Sequence, residues 1–304
     1  MYILDIFRFK TVIEYEYKYF GNYGAKGEKR KPRRKATPEE IKANNQRNKA
    51  KKVRRLILAN FSQGDYWTTL TYPKDTARNI SEVTKDLRTF LDRMRRAYKR
   101  AGIPFKYIYR IEIGSRGGIH VHILMNRMDG LDLLITEKWE HGHANLELMS
   151  DDGESAEKLG DYITKPPTDQ QIKIIRSLGE GDVSKLIRYS CSRNLEHPEP
   201  ERQEVRRGTM HRIFDRGIKP TPGFYVATDT IRKGRNPYTG TSYLKYSEYQ
   251  LTEESVKKMK AMGRDPAEKT ILCECPICHQ LTIDGFACDC QRQKRMRKRG
   301  SRHG

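Results

Sequence analysis

Apolar residues along this chain recur at two periods. Residues 11–17 alternate and predict a strand, as do residues 65–72, 105–113, 119–125 and 143–149. Elsewhere the period lengthens to that of a helix. Thr37 ahead of Pro38-Glu39-Glu40 is a helix start, and Val53, Leu56, Ile57 and Phe61 line the apolar face of a helix running to Phe61. A second helix begins at Ser81, carries Val83, Leu87, Phe90, Leu91, Met94 and Tyr98 at helical spacing, and ends at Gly102. A third, over residues 154–165, is stopped by Pro166-Pro167. Further on, residues 223–227 and 243–246 read as strands joined by a turn at 236–240. Strands alternating with helices around a central hairpin predict an α+β fold: an antiparallel sheet with helices on one face.

Polar residues interrupt this pattern where chemistry is expected. His120 and His122 alternate with Ile119, Val121 and Ile123, so a strand projects both imidazoles from one face and packs the apolar residues on the other. Glu112 lies eight residues upstream, across a Gly-rich turn at 114–118, and a hairpin brings its carboxylate beside the imidazoles. One carboxylate and two histidines suit Mg²⁺ or Mn²⁺, with imidazole tipping the preference toward Mn²⁺. His141 and His143 are rivals for the third ligand, although Trp139-Glu-His-Gly-His143 reads more naturally as a helix end entering a strand. Downstream, Tyr162 and Lys165 are three apart on one helix face. A tyrosine hydroxyl becomes a useful nucleophile only when a cation stabilises its phenolate or a metal activates the phosphate it attacks.

In order, Trp67-Thr-Thr-Leu-Thr-Tyr-Pro73, Glu112, His120-Val121-His122 and Tyr162-Ile-Thr-Lys165 resemble the motifs of the HUH endonucleases, the rolling-circle replication initiators of phages, plasmids and single-stranded DNA viruses. Trp139 followed by Gly142, and Ser190-Cys-Ser-Arg-Asn-Leu195 leading to Pro198, resemble the phage-type Rep branch. The likeness spans about residues 65–200. It implies a ferredoxin-like or RRM-like core whose open face presents the site. It further implies that Tyr162 attacks a scissile phosphate held by a metal on Glu112, His120 and His122, leaving a 5′-phosphotyrosine and a free 3′-OH primer. Lys165 would stabilise the phenolate or the phosphate charge. With one tyrosine in the motif, a second subunit or activated water would end the cycle.

Charge points the same way. Lys plus Arg number 60 against 39 Asp plus Glu, a net charge of +21, dense at residues 26–34 and 292–302. That excess, with 17 tyrosines able to stack on unpaired bases, predicts a nucleic acid as partner, which the resemblance implies is single-stranded origin DNA. No apolar run is long enough to span a membrane, and residues 1–8 are too short and too charged for a secretory signal, so a cytoplasmic protein, in a bacterial host, is expected. No Gly-x4-Gly-Lys-Ser/Thr loop occurs, which leaves unwinding to a host helicase.

The remaining chemistry lies at the C-terminus, where five of six cysteines cluster. Cys275, Cys278, Cys288 and Cys290 can enclose structural Zn²⁺ as a zinc-ribbon-like element, with Leu281, Ile283 and Phe286 packing a hairpin between the knuckles. The short Cys288-x-Cys290 spacing leaves the fourth ligand open to Cys273 or His279; Cys191 stands apart and is expected to be buried. Four segments result: 1–64 (strand, basic loop and helix), a 65–204 endonuclease core, a 205–270 β-rich extension, and a 271–304 zinc hairpin with basic tail. The alternatives to an initiator are an HUH transposase, a relaxase, or a non-catalytic DNA-binding regulator.

Overall fold

The computed structural model describes residues 2–19, 36–73, 78–114, 117–150, 153–177, 189–235, 242–261, 263, 265–266, 268–274 and 281–283. In chain order the first elements are β1 (Tyr2–Arg8), β2 (Val12–Tyr19), α1 (Pro38–Asn60), β3 (Tyr66–Thr71), α2 (Ile80–Arg100), β4 (Tyr107–Ile113) and β5 (Ile119–Met125). Then come α3 (Leu131–Lys138), β6 (Ala144–Leu148), α4 (Gly153–Thr164), α5 (Asp169–Ser177), β7 (Ser190–Cys191), β8 (Glu201–Val205) and α6 (Arg207–Arg216). Last are β9 (Phe224–Arg235), β10 (Ser242–Gln250), α7 (Glu253–Ala261), β11 (Leu272–Glu274) and β12 (Leu281–Ile283). The protein is α+β, with two five-stranded antiparallel sheets.

Two compact units divide the chain, and their boundaries differ from the expected segments. The central unit is Ala36–Pro198; the terminal unit joins Met1–Lys35 to Glu199–Gly304. The reason is strand pairing. The first residues, expected only not to be a secretory signal, form β1, which pairs with both β2 and β8, so both ends of the chain build one sheet. Helix α1, expected in one segment with the N-terminal strand, instead belongs with α4 in the central unit.

The terminal unit has strand order β8-β1-β2-β10-β9. Tyr2, Leu4, Ile6, Ile13, Tyr15, Tyr17, Leu244 and Tyr246 bury one face, against which α6 packs Met210, Ile213 and Phe214. The strands expected at 223–227 and 243–246 are present as the longer pair β9 and β10. β11 and β12 pair as a short antiparallel hairpin, and β12 carries Leu281 and Ile283. Cys275, Cys278, Cys288 and Cys290 themselves lie outside the described residues.

The central unit runs β3-α2-β4-β5-α3-β6, a βαββαβ succession of ferredoxin-like type, with strand order β6-β3-β5-β4-β7. Both long helices start where their caps dictate. Thr37 and Glu40 form a reciprocal capping box on α1, and Asn79 and Glu82 do so on α2, two residues ahead of the expected Ser81. Alternation then sends Val121, Ile123 and Met125 into a core with α2 and α3, built around Phe90, Leu87, Met94, Tyr98 and Trp139. The opposite face is not open. Ile108 and Leu124 meet Val53, Leu56 and Ile57 of α1 and Ala156 and Ile163 of α4, so helices cover both faces. The expectation of helices on one face fails because α1 has no sheet of its own and buries its stripe here. Among the described residues no helix is long and apolar enough to cross a membrane.

Candidate active site

Strand register decides which side chains meet. On β5, His120 stands opposite Glu112 of β4 and Thr71 of β3; His122 stands opposite Arg110 and Thr69. All six therefore share a face, because residues paired across antiparallel strands point the same way. The turn between β4 and β5 closes through Gly114 N–H donating to Gly118 O (2.8 Å), with Gly117 at φ +84°. A glycine meets that left-handed backbone without strain.

Glu112, His120 and His122 each offer one ligand atom, and these atoms all lie within 4.8 Å of one another. Glu112 Oε2 is 3.3 Å from His122 Nε2 and 3.8 Å from His120 Nε2. One hard oxygen and two imidazole nitrogens converging at such separations fit a single divalent cation that keeps further positions for other ligands. Hydrogen bonds from His120 and His122 hold the Glu112 carboxyl far below the usual carboxylate range. The rival histidines are not part of this group: His141 faces Asp86 (3.5 Å), and His143 is an exposed residue just before β6 whose carbonyl accepts from Thr71 N–H (2.8 Å).

Tyr162 reaches this face from α4. Its hydroxyl donates to Glu112 Oε2 (2.8 Å) and lies 2.8 Å from His122 Nε2, with 37 % of the residue exposed. Burial and then the Glu112 carboxylate push its phenol well above the ordinary tyrosine value, while Arg110 pulls the other way. Helix α4 gets this close because Gly160 has no side chain: a Cβ there would come within 3.1–3.2 Å of Arg54 on α1, backbone included. Lys165 differs from expectation. The helix ends at Thr164, and Lys165 lies just beyond, exposed, with its N–H on Tyr162 O (3.3 Å).

Four participants had no role assigned from the sequence, although Trp67 and Thr69 fall within the Trp67–Pro73 motif. Thr69 Oγ1 lies 3.0 Å from His122 Nδ1, the nitrogen turned away from Glu112. Trp67 stacks on the His122 ring (centroids 5.4 Å, planes 8° apart) and meets Tyr162 edge-on. Gln171, at the start of α5, donates to Ile113 O (2.6 Å) and approaches Glu112 Oε1 (3.4 Å). Arg110, 3 % exposed, donates to the carbonyls of Tyr162 (2.8 Å) and Ile163 (3.3 Å). Parity on β3 and β4 was a usable signal for Thr69 and Arg110, since both are an even number of residues from Thr71 and Glu112. Nothing local marked Gln171.

The Trp139 and Gly142 pair has a structural role at the same face. Trp139 Nε1 donates to Thr71 O (3.0 Å), and a Cβ on Gly142 would come within 2.2 Å of that oxygen. Together they pin the end of β3 opposite His120.

No curated protein and no solved structure matches this chain. The stretch from the start of β3 to the prolines after α4 does have a counterpart: residues 65–167 match the replication-associated protein family of ORF2 type.

Proposed function

We propose that this protein is a rolling-circle replication initiator of HUH type, which nicks single-stranded origin DNA through Tyr162. The observation that carries the reading is the Tyr162 hydroxyl, 2.8 Å from both Glu112 and His122 on a face with ligands for a divalent ion. The family match over residues 65–167 supports the setting in DNA replication.

Glu112, His120 and His122 hold Mg²⁺ or Mn²⁺, which when bound supplies Lewis acidity to the scissile phosphate. Tyr162 loses its hydroxyl proton, and its oxygen forms a bond to phosphorus in line with the departing 3′ oxygen. The P–O3′ bond breaks, the 3′ oxygen takes up a proton, and the 5′ phosphate stays on the tyrosine. Because one phosphodiester is exchanged for another, the same site can rejoin strands. Trp67 gives His122 a rigid aromatic backing that holds the ring plane. Lys165, exposed at the helix end, neutralises phosphate charge on the bound strand. Unwinding belongs to a host helicase. A structural Zn²⁺ on Cys275, Cys278, Cys288 and Cys290 completes the assignment; the donor chemistry, four cysteine thiols, fits that ion.

The test is a denaturing gel of wild-type and Tyr162→Phe protein mixed with Mn²⁺ and single-stranded fragments of the replicon. A nuclease-trimmable protein–DNA adduct in wild type alone is the expected result. An adduct in both moves the nucleophile elsewhere, Tyr189 first. No adduct in either, despite tight binding, favours a non-catalytic DNA-binding protein.

A further inference from the structure

The end of α4 is closed at Tyr162 O by a single long backbone bond, from Lys165 N–H (3.3 Å), and two further backbone donors are missing. In a continuing helix the amides of residues 166 and 167 would bond the carbonyls of Tyr162 and Ile163. Both residues are proline, so neither amide has a hydrogen. One side chain from the sheet reaches both carbonyls, and at Tyr162 O its bond is shorter than that of Lys165 N–H. Arg110 Nη1 donates to Tyr162 O at 2.8 Å and Ile163 O at 3.3 Å. The next carbonyl, Thr164 O, takes Gln46 Nε2 at 2.7 Å.

Arg110 is an unusual choice for a merely structural cap. It is 3 % exposed, and among the described residues its Nε has no hydrogen-bond partner and no carboxylate lies within ion-pair distance, Glu112 acting on its charge only from farther off. A guanidinium is costly to desolvate on those terms. Its position is what distinguishes it. Arg110 lies two residues before Glu112 on β4 and opposite His122 on β5, so it joins the strand bearing the carboxylate to the turn bearing Tyr162.

We propose that Arg110 is a positioning residue: it replaces the two amides that Pro166 and Pro167 remove, and so fixes the backbone of Tyr162 relative to Glu112 and His122. This rests on Tyr162 being the nucleophile. A residue that sets this geometry acts on the barrier, so it affects strand cleavage and rejoining equally and leaves the balance between them unchanged.

The experiment measures single-turnover adduct formation, and rejoining of the adduct with a 3′-OH strand, on the oligonucleotide that wild type cleaves, at saturating Mn²⁺. In Arg110→Met both rates should fall by the same factor, on the order of 100-fold, while Mn²⁺ and DNA affinities stay within about threefold. Arg110→Lys, with a single-point donor, should lie between, roughly tenfold slow. Wild-type rates in folded Arg110→Met would overturn the proposal, as would unequal forward and reverse effects or a loss that tracks Mn²⁺ affinity. If Arg110→Met does not fold, Arg110→Lys decides, and an unchanged rate there counts against it. Absence of an adduct in wild type, or an adduct through another residue, defeats the nucleophile assignment instead.

Discussion

The Tyr162 hydroxyl donates a 2.8 Å hydrogen bond to Glu112 Oε2, the oxygen that faces both histidines. The proposed nucleophile and a candidate metal ligand are thus each other's partners, and metal binding must compete with that bond. Its net worth is about 1 kcal/mol. Tyr162→Phe should therefore raise Mn²⁺ affinity, by roughly fivefold, as read by titration calorimetry. Weaker binding in the variant would mean that the hydroxyl is itself a ligand.

Thr69 tests the other side of the same ring. With no ion, the pattern that uses every proton has Thr69 donating to His122 Nδ1, His122 Nε2–H donating to Tyr162, and Tyr162 donating to Glu112. Metal on Nε2 requires the opposite tautomer, with Nδ1–H donating to Thr69. A hydroxyl serves both roles and a methyl serves neither. Thr69→Val should weaken Mn²⁺ binding by about 10- to 100-fold with little change in melting temperature. Thr69→Ser should retain most of the affinity.

Gly142 has no room for substitution. A methyl group there would come 2.2 Å from Thr71 O, which also accepts from Trp139. Gly142→Ala should cost roughly 3 kcal/mol of stability by thermal denaturation, since backbone and not a flexible side chain must yield. Mn²⁺ affinity should fall with it, because Thr71 lies opposite His120. A variant as stable as wild type would show that β6 can shift away at no cost.

Acid should act on the terminal unit through Asp5. Burial pushes its carboxyl up, but Arg202 and Lys18, each 2.8 Å away, more than offset this and leave it below the ordinary value. A depressed carboxyl stabilises the fold fully above its unfolded pKa of about 3.9, and that contribution disappears as pH falls through the folded value. Asp5→Asn should therefore lower the melting temperature at pH 7 and converge with wild type at the acid end. A gap that stays constant with pH would assign the loss to packing.

Local pattern made much of this legible. Alternation located β3, β4 and β5, the Thr37-Pro38 start signal located α1, and apolar spacing located α2, because those signals act over a few residues. Glu112, His120 and His122 followed from the length of one turn. What local pattern could not convey was which distant segments share a surface. The pairing of β1 with β8 joins residues almost two hundred positions apart, and nothing in either strand announces it. The packing of α1 on the site face, the reach of Gln171 from α5, and Arg110 at the helix end are likewise products of tertiary placement. Lys165 shows the reverse error. Its spacing from Tyr162 suggests a shared helix face, but the prolines end the helix one residue sooner.

The two-residue repeat of the central strands has a consequence for how this protein can change. Odd and even positions on β5 serve different masters: Ile119, Val121 and Ile123 belong to the core, and His120 and His122 to the candidate metal group. A one-residue slip of β5 against its neighbours would exchange the two sets at once, placing imidazoles in the apolar interior and isoleucines at the site. Residues can therefore be added to or removed from β5 itself only where its parity is kept, and a lineage carrying this fold inherits its candidate site as a counting rule.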